Sequence, residues 1–353
     1  MTGQPPGETP RTAVVGALTA RAQDKEIARL AVPAFAALVS EPLFLLADAA
    51  IVGHLGTAQL AALGLAGTVV QTVIGVFVFL AYGTTSTVAR NLGAGNRRAA
   101  LSAGIDGLWL ALLIGGGAGL LTLAVTPVII DGFASTDDVH DFAVAYLRIA
   151  VFGVPALLVM FAATGVLRGL QDTRTPLAVA VAANLANVAL NLLFVYGLDW
   201  GISGSAAGTL LAQGAGAAVI VVVVVRGARR NGAPLAPHRR GVVAAWRAGI
   251  PLIVRTVTLR ATLVLTFYVA ASISTVAVAS HQVALTVWTF LAFVLDAIAI
   301  AGQAITGRLL GAGDATGARA ATRRMMRWGL LAGGGLGAVL ALSRPLVVPL
   351  FTP

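Results

Sequence analysis

The chain has 353 residues, of which 58% are hydrophobic and only 11% charged, and it contains no cysteine. A soluble domain of this size carries about a quarter charged residues, so the composition excludes a water-soluble globular protein, and the missing thiols exclude disulfide and cysteine chemistry. The net charge of +10 would suggest nucleic acid in a soluble protein; here the arginines cluster between apolar stretches, as loop charges on one side of a bilayer do.

In chain order, residues 1–24, MTGQPPGETPRTAVVGALTARAQD, come first and are rich in Pro, Gly and Thr. They lack a compact apolar core with a cleavage site, so a disordered cytoplasmic tail is predicted and not a signal peptide. Nine apolar segments follow, at 27–52, 58–83, 101–127, 142–166, 175–198, 201–225, 243–270, 275–303 and 325–351. As helices, each is long enough to cross a hydrocarbon core of roughly 30 Å. The predicted fold is an all-α polytopic membrane protein.

The connections alternate in charge. Arg21, Lys25 and Arg29 lie in and beside the tail, and the even-numbered loops carry Arg90, Arg97 and Arg98; Arg168 and Arg174; Arg226 through Arg247; and Arg308 through Arg327. The odd-numbered loops carry almost no base, and one, STDDVHD, holds Asp137, Asp138 and Asp141. That asymmetry predicts a cytoplasmic N-terminus and an acidic loop outside.

An internal repeat at an offset of 218 residues organises the chain. Arg29 maps to Arg247, Pro33 to Pro251, RNLGAGN at 90–96 to RLLGAGD at 308–314, Gly115 and Gly119 to Gly333 and Gly337, Pro127 to Pro345, and Phe133 to Phe351. The offset spans six helices, so both copies share one orientation, a transporter architecture with its site between the halves. Residues 25–228 are predicted to form a six-helix lobe, 229–242 a cytoplasmic linker, and 243–353 the first three helices of a second lobe. By this logic a complete protein has twelve spans and about 450 residues. The sequence, ending at PLFTP, is thus expected to be a fragment or truncated product lacking spans ten to twelve.

Span one contains EPLFLLADAAIVGHLG, in which Glu41 and Asp48 stand seven residues apart. That is nearly two helical turns, so both acids share one face, roughly 10 Å apart along the axis. An acid within a bilayer calls for a functional explanation. Asp48 reads either as a structural hydrogen-bonding group or as a carrier that takes up and releases a proton when the site opens to water. Glu41 precedes Pro42, which bends a helix; it either supports that kink or pairs with an arginine, or it binds ion or substrate directly. Asn184, Asn187 and Asn191 fall at i, i+3 and i+7 on one face of span five, and suggest a polar cavity lined by amides, although asparagines also bridge membrane helices for purely structural reasons. Thr209 alone is a weak signal, since threonine often bonds to its own helix. Arg255 and Asp296 are expected to pair and lock the second lobe, with His281 at an interface. The GxxxG pairs Gly115/Gly119 and Gly333/Gly337 predict close helix packing, and Arg168 and Asp172 are expected to shape a loop and its salt bridges.

Several motifs resemble the multidrug and toxic compound extrusion (MATE) family: LADAAIVGHLGTAQLAALGLAG, RGLQDTRTPL, and the paired LGAGN and LGAGD. The Glu-Pro before the first-span aspartate and the GHLG turn are most similar to its DinF-like branch. The resemblance covers residues 25–353. It implies two six-helix lobes around a cleft that opens alternately to each side. It also implies antiport of amphipathic, cationic compounds against protons or sodium. It assigns ion coupling to Asp48, assisted by Asn187, Asn191 and Thr209; on the reading of the residues themselves, Glu41 and Asn184 are expected in the substrate cavity. Asn191 stands where the family usually has a second aspartate, which concentrates coupling on Asp48. No cofactor is expected beyond the coupling ion, H+ or Na+. The expected partners are small cationic organic molecules and the bilayer, with no nucleic acid, for a monomer in the plasma membrane.

A lipid-linked-precursor flippase is the second transporter reading, and would need a basic cavity where an acidic, amide-lined one is predicted. An inactive remnant is the third. No H-E-x-x-H, G-x-S-x-G or G-x-x-x-x-G-K-[ST] occurs, so metalloprotease, hydrolase and ATPase readings lack their motifs.

Overall fold

The computed structural model describes residues 20–133 and 136–347. The predicted tail up to residue 19 and the PLFTP end, with the Phe351 partner of Phe133, lie outside the described residues. The helices are α1 (Ala20–Gly53), α2 (Thr57–Val76), α3 (Phe79–Gly93), α4 (Arg97–Asp131), α5 (Asp137–Ala150), α6 (Gly153–Gly169), α7 (Arg174–Leu192), α8 (Gly201–Arg230), α9 (Arg239–Ile273), α10 (Thr275–Gly311) and α11 (Ala315–Val347). A π-helical turn, Leu193–Gly197, prolongs α7. Among the described residues eight units, α2 and α3 counting as one, are long and apolar enough to span a bilayer. The pair α5 and α6, bent by 48°, makes the ninth. These nine units match the nine predicted segments.

Helix α1 starts earlier than the composition suggests. Residues 20–24 were expected in the tail, but ARAQD contains no Gly or Pro and continues directly into the helix. Its start is held in place: Asp24 accepts from Arg324 Nε at 2.7 Å and from Trp328 Nε1 at 2.8 Å, both on α11. Glu26 accepts from Arg308 Nη2 of α10 at 2.5 Å.

The two LGAG motifs show what the repeat does physically. In each, the last glycine takes a left-handed backbone, φ 75° at Gly95 and 78° at Gly313, a conformation glycine adopts without a Cβ penalty. The chain then folds back, with Asn96 N donating to Asn91 O at 3.1 Å and Asp314 N to Leu309 O at 2.9 Å, closing each helix in a Schellman-type cap. The next residue starts the following helix: Asn96 Oδ1 accepts from Ala99 N at 2.8 Å and Asp314 Oδ1 from Gly317 N at 2.7 Å, N-caps of the ordinary kind. The backbone N–H of Gly317 also holds the Asp314 carboxyl below its usual pKa. The first glycines, Gly93 and Gly311, serve close approach. A Cβ on Gly93 would run into the carbonyl of Arg308, and one on Gly311 into the carbonyl of Arg90. Each copy therefore packs on its twin at the arginine-rich end of the bundle.

Gln171, in the turn before α7, adds a bond there, donating from Nε2 to Ala304 O of α10 at 2.9 Å. Asp106, buried near the start of α4, accepts from the backbone N of His238 at 2.8 Å and so ties the start of α9 to the first lobe. The largest apolar core lies among α3, α4, α6 and α8 and includes Phe79, Leu101, Leu158 and Ile220.

The GxxxG pairs differ. A Cβ at Gly115 would sit 2.6 Å from Pro155 Cα, so that glycine lets α4 and α6 touch. Gly333 and Gly337 face open space among the described residues, contrary to the expected close packing; no described helix covers that face of α11. Gly115→Ala should therefore cost about 1–3 kcal/mol by overpacking. Gly333→Ala should stay within about 0.5 kcal/mol of the parent. Thermal unfolding of the two purified variants in detergent compares them directly, and equal shifts would contradict the asymmetry.

Candidate functional site

A cavity of about 730 Å³ is enclosed mainly by α1 to α3 and α5 to α8; among the described residues of the later helices, Arg260 of α9 and Ile300 of α10 also line it. Asp48 lies on its wall, 3% exposed. Burying a carboxylate is costly unless hydrogen bonds replace water. Two do so at one oxygen. Asn191 Nδ2 donates to Asp48 Oδ1 at 2.7 Å, and Ser205 Oγ donates to the same oxygen at 2.8 Å. The other oxygen, Oδ2, has no hydrogen-bond partner among the described residues.

The partners form two rungs, because residues four apart on a helix share a face. Asn191 and Ser205 make the rung with Asp48. One turn along both helices, Asn187 Nδ2 donates to Thr209 Oγ1 at 2.9 Å. Tyr146 of α5 is buried beside them, in electrostatic contact with Asp48 and Thr209. The approach of α7 and α8 requires Gly208, since a Cβ there would collide with Asn191 Oδ1. The π-turn after Asn191 is anchored by Tyr196, whose hydroxyl donates to Ile51 O at 2.6 Å. Such turns cost regular helix bonding and recur at functional sites.

The side-chain carbonyl oxygens of Asn187 and Asn191 are buried with no hydrogen-bond partner among the described residues. Unpaired buried acceptors are uncommon and call for an explanation. Together with Asp48 and the hydroxyls of Thr209 and Ser205 they form an all-oxygen set, the ligand type hard cations prefer. The described residues contain no cluster of three or more His, Asp or Glu side chains arranged to hold a metal, so any cation here would rest on one charge and neutral oxygens.

The predicted residues thus separate into groups. Asp48, Asn187, Asn191 and Thr209 come together. Glu41 and Asn184 also line the cavity, but nearer Pro42 of α1: Gln71 Nε2 donates to Glu41 Oε1 at 3.3 Å, and Asn184 Nδ2 to Ser40 O at 3.2 Å. Glu41 has no arginine partner within 4.0 Å among the described residues. Arg255 and Asp296 are electrostatic neighbours, yet they form no ion pair within that distance, and both are exposed. The expected lock is not closed. His281 sits in the α9–α10 hairpin, its Nε2 3.3 Å from Thr266 Oγ1.

The loop reading of Arg168 also changes. Asp172 caps α7 through the N–H groups of Arg174 and Thr175, at 3.1 and 3.0 Å, whereas Arg168 lines the cavity and has no salt bridge among the described residues. With Arg260 it makes the cavity mixed in charge, so the acidic, amide-lined cavity expected from sequence also has basic walls. Ser205 was legible, standing one turn from Thr209 in a small-residue helix. Tyr82, Tyr146 and Gln71 had no sequence signal to separate them from other span residues.

Two comparisons with known proteins agree on the family, and a third on the fold. The MatE family model matches residues 33–193 and 251–353. The chain is 31% identical over 341 residues to Protein DETOXIFICATION 44, chloroplastic, of Arabidopsis thaliana, covering 93% of this chain and 65% of that protein. It is 31% identical over 210 residues to the probable multidrug resistance protein NorM of Thermotoga maritima (57% and 44% covered). It is 28% identical over 303 residues to the DNA damage-inducible protein F of Escherichia coli (82% and 64%). The chain thus spans about two thirds or less of the length of these relatives. Among solved structures, MATE in the bent conformation superposes with a TM-score of 0.86 at 23% identity, covering 94% of this chain and 75% of that one. An outward-facing multidrug resistance MATE family transporter of the MOP superfamily gives 0.83 at 22%, covering 96% and 77%. The helix order, the aspartate-centred cavity and the family match over three quarters of the residues lead to one conclusion: the chain belongs to the MATE family of membrane transporters.

Proposed function

We propose that this chain belongs to a secondary antiporter that exports amphipathic, cationic xenobiotics by alternating access, coupled to inward movement of H+ or Na+. The observation that carries this reading is Asp48: a buried carboxylate with one oxygen doubly hydrogen-bonded, the other free, on a cavity beside two unpartnered amide oxygens. A proton can bind Oδ2 without breaking either bond, and a small cation can use the same oxygens. Loading the site removes the uncompensated charge and changes which cavity state is favoured, which is what coupling requires. The arginine-rich end faces the cytoplasm in this reading, following the charge asymmetry of the loops, and the protein acts as a monomer in the plasma membrane.

The test is transport of a fluorescent cation by the purified chain in liposomes, with pH and sodium gradients imposed separately. Movement of the dye against its own gradient under one of them, lost when an ionophore collapses that gradient, is the expected result. Dye movement indifferent to both gradients would refute coupling.

A further inference from the structure

The ion-coupling site leaves the cavity's basic residues unexplained. Arg168 projects from the last turn of α6 and Arg260 from the middle of α9, where it lies against Gly75 of α2. Neither has a carboxylate within 4.0 Å among the described residues. Tyr82 of α3 lines the same cavity and lies within electrostatic reach of Arg168, Arg255 and Asp296. Two guanidiniums and one carboxylate thus lie within electrostatic reach of Tyr82, and its surroundings are net positive. Arg168 itself is only partly exposed. A cation withdrawn from water without a counter-charge is costly, and a guanidinium is shaped to take a carboxylate through two parallel hydrogen bonds. The acids of the cavity stand elsewhere: Asp48 is committed to Asn191 and Ser205, and Glu41 to Gln71.

We infer that Arg168 and Tyr82 form an anion subsite, assisted by Arg260, so that the cavity accepts amphipathic molecules bearing an acidic group as well as an apolar body. The acid group meets Arg168, the Tyr82 hydroxyl donates to it, and the body lies along Phe44, Leu157, Met160 and Phe161 on the apolar walls. This rests on the export reading only in taking the cavity as the place where the transported molecule binds.

The experiment is equilibrium binding to the purified full chain in a neutral maltoside detergent, with no gradient present. Two probes of nearly the same body are compared by fluorescence anisotropy: rhodamine B, with a free carboxylate, and its ethyl ester, without one. Arg168→Gln should weaken rhodamine B about tenfold while changing the ester by less than about twofold, because only the acid loses a charge-assisted partner. Arg168→Lys should restore part of the difference. Arg260→Gln provides the same comparison at the other arginine lining the cavity, should Arg168→Gln yield no folded protein. Equal weakening of both probes, or no change in either, overturns the subsite. Carboxylate-selective binding that persists in a chain showing no gradient-driven transport would support the subsite and count against antiport, so the two readings fail separately.

Discussion

An Asp48→Asn variant is expected to insert and unfold like the parent while gradient-driven dye efflux falls to the protein-free background. The substitution keeps the shape of the side chain and an oxygen where Oδ1 stands, so Asn191 Nδ2 and Ser205 Oγ retain their acceptor. It replaces Oδ2, the atom free to take a proton or contribute charge to a cation, with an amide that can do neither. The effect should thus fall on coupling and leave folding largely intact. Asp48→Ala separates the two contributions. It removes the acceptor, leaving two buried donors unpaired at a cost of about 1–3 kcal/mol, so it should lose transport and also melt earlier. The checks are efflux from proteoliposomes under an imposed gradient and a melting curve of each variant. Efflux by Asp48→Asn at the parent's rate would remove this carboxylate from the mechanism. The prediction is sharp because Asn191 cannot titrate: among the described residues, no second acid stands within hydrogen-bonding distance of Asp48 to share the proton.

The fold was legible because a bilayer leaves the chain little choice. Backbone polar groups must be satisfied within each span, so nine apolar segments mean nine helical crossings. A gapless 218-residue offset then orders them. What periodicity could not supply was the breaks: the interruption at Phe77–Val78 between α2 and α3, and the 48° bend between α5 and α6. The first has no proline beside it and depends on the helices packed around it; at the second, Pro155 cannot donate to Val151 O, which accepts from Val154 N at 3.0 Å instead. At the site, Asp48, Asn187 and Asn191 were readable because polar groups within an apolar span must find partners. Thr209 was placed by resemblance, and Ser205 emerged as its neighbour one turn away. Charges nearer the span ends carried no such constraint. Arg168 could serve a loop or a cavity equally well on sequence grounds, and only the direction of α6 decides it. The Arg255–Asp296 pairing failed for the complementary reason. Opposite charges in adjacent spans suggest a bond, but their heights along α9 and α10 are set by packing that no local pattern records.

The second large effect should come from residues far from the cavity, Gly93 and Gly311. They are twins under the repeat, and each packs on the backbone of the other copy: Gly93 against the carbonyl of Arg308, Gly311 against that of Arg90. A methyl group at either position meets backbone, which cannot rotate aside as a side chain can. The closed arrangement of the arginine-rich end is then overpacked, at about 1–3 kcal/mol, whereas an arrangement with α3 and α10 apart bears no such cost. A difference of this size between two states shifts their ratio by about 5–150-fold. Gly93→Ala and Gly311→Ala should each open this end and slow transport to a similar degree, the contact being reciprocal. The chain has no cysteine, so spin labels can be placed without background at Arg97→Cys and Ala315→Cys, the symmetry-related first residues of α4 and α11. Electron–electron distance measurements should show the pair moving apart in both glycine variants. An unchanged distance distribution in either would mean that the paired LGAG motifs cap helices only, and that α3 and α10 separate without involving them. The Glu26–Arg308 and Asp24–Arg324 ion pairs at the same end can re-form after small side-chain movements, so they tolerate a displacement that the backbone contact does not. That difference is why the glycines, and not the charges, are expected to control closure.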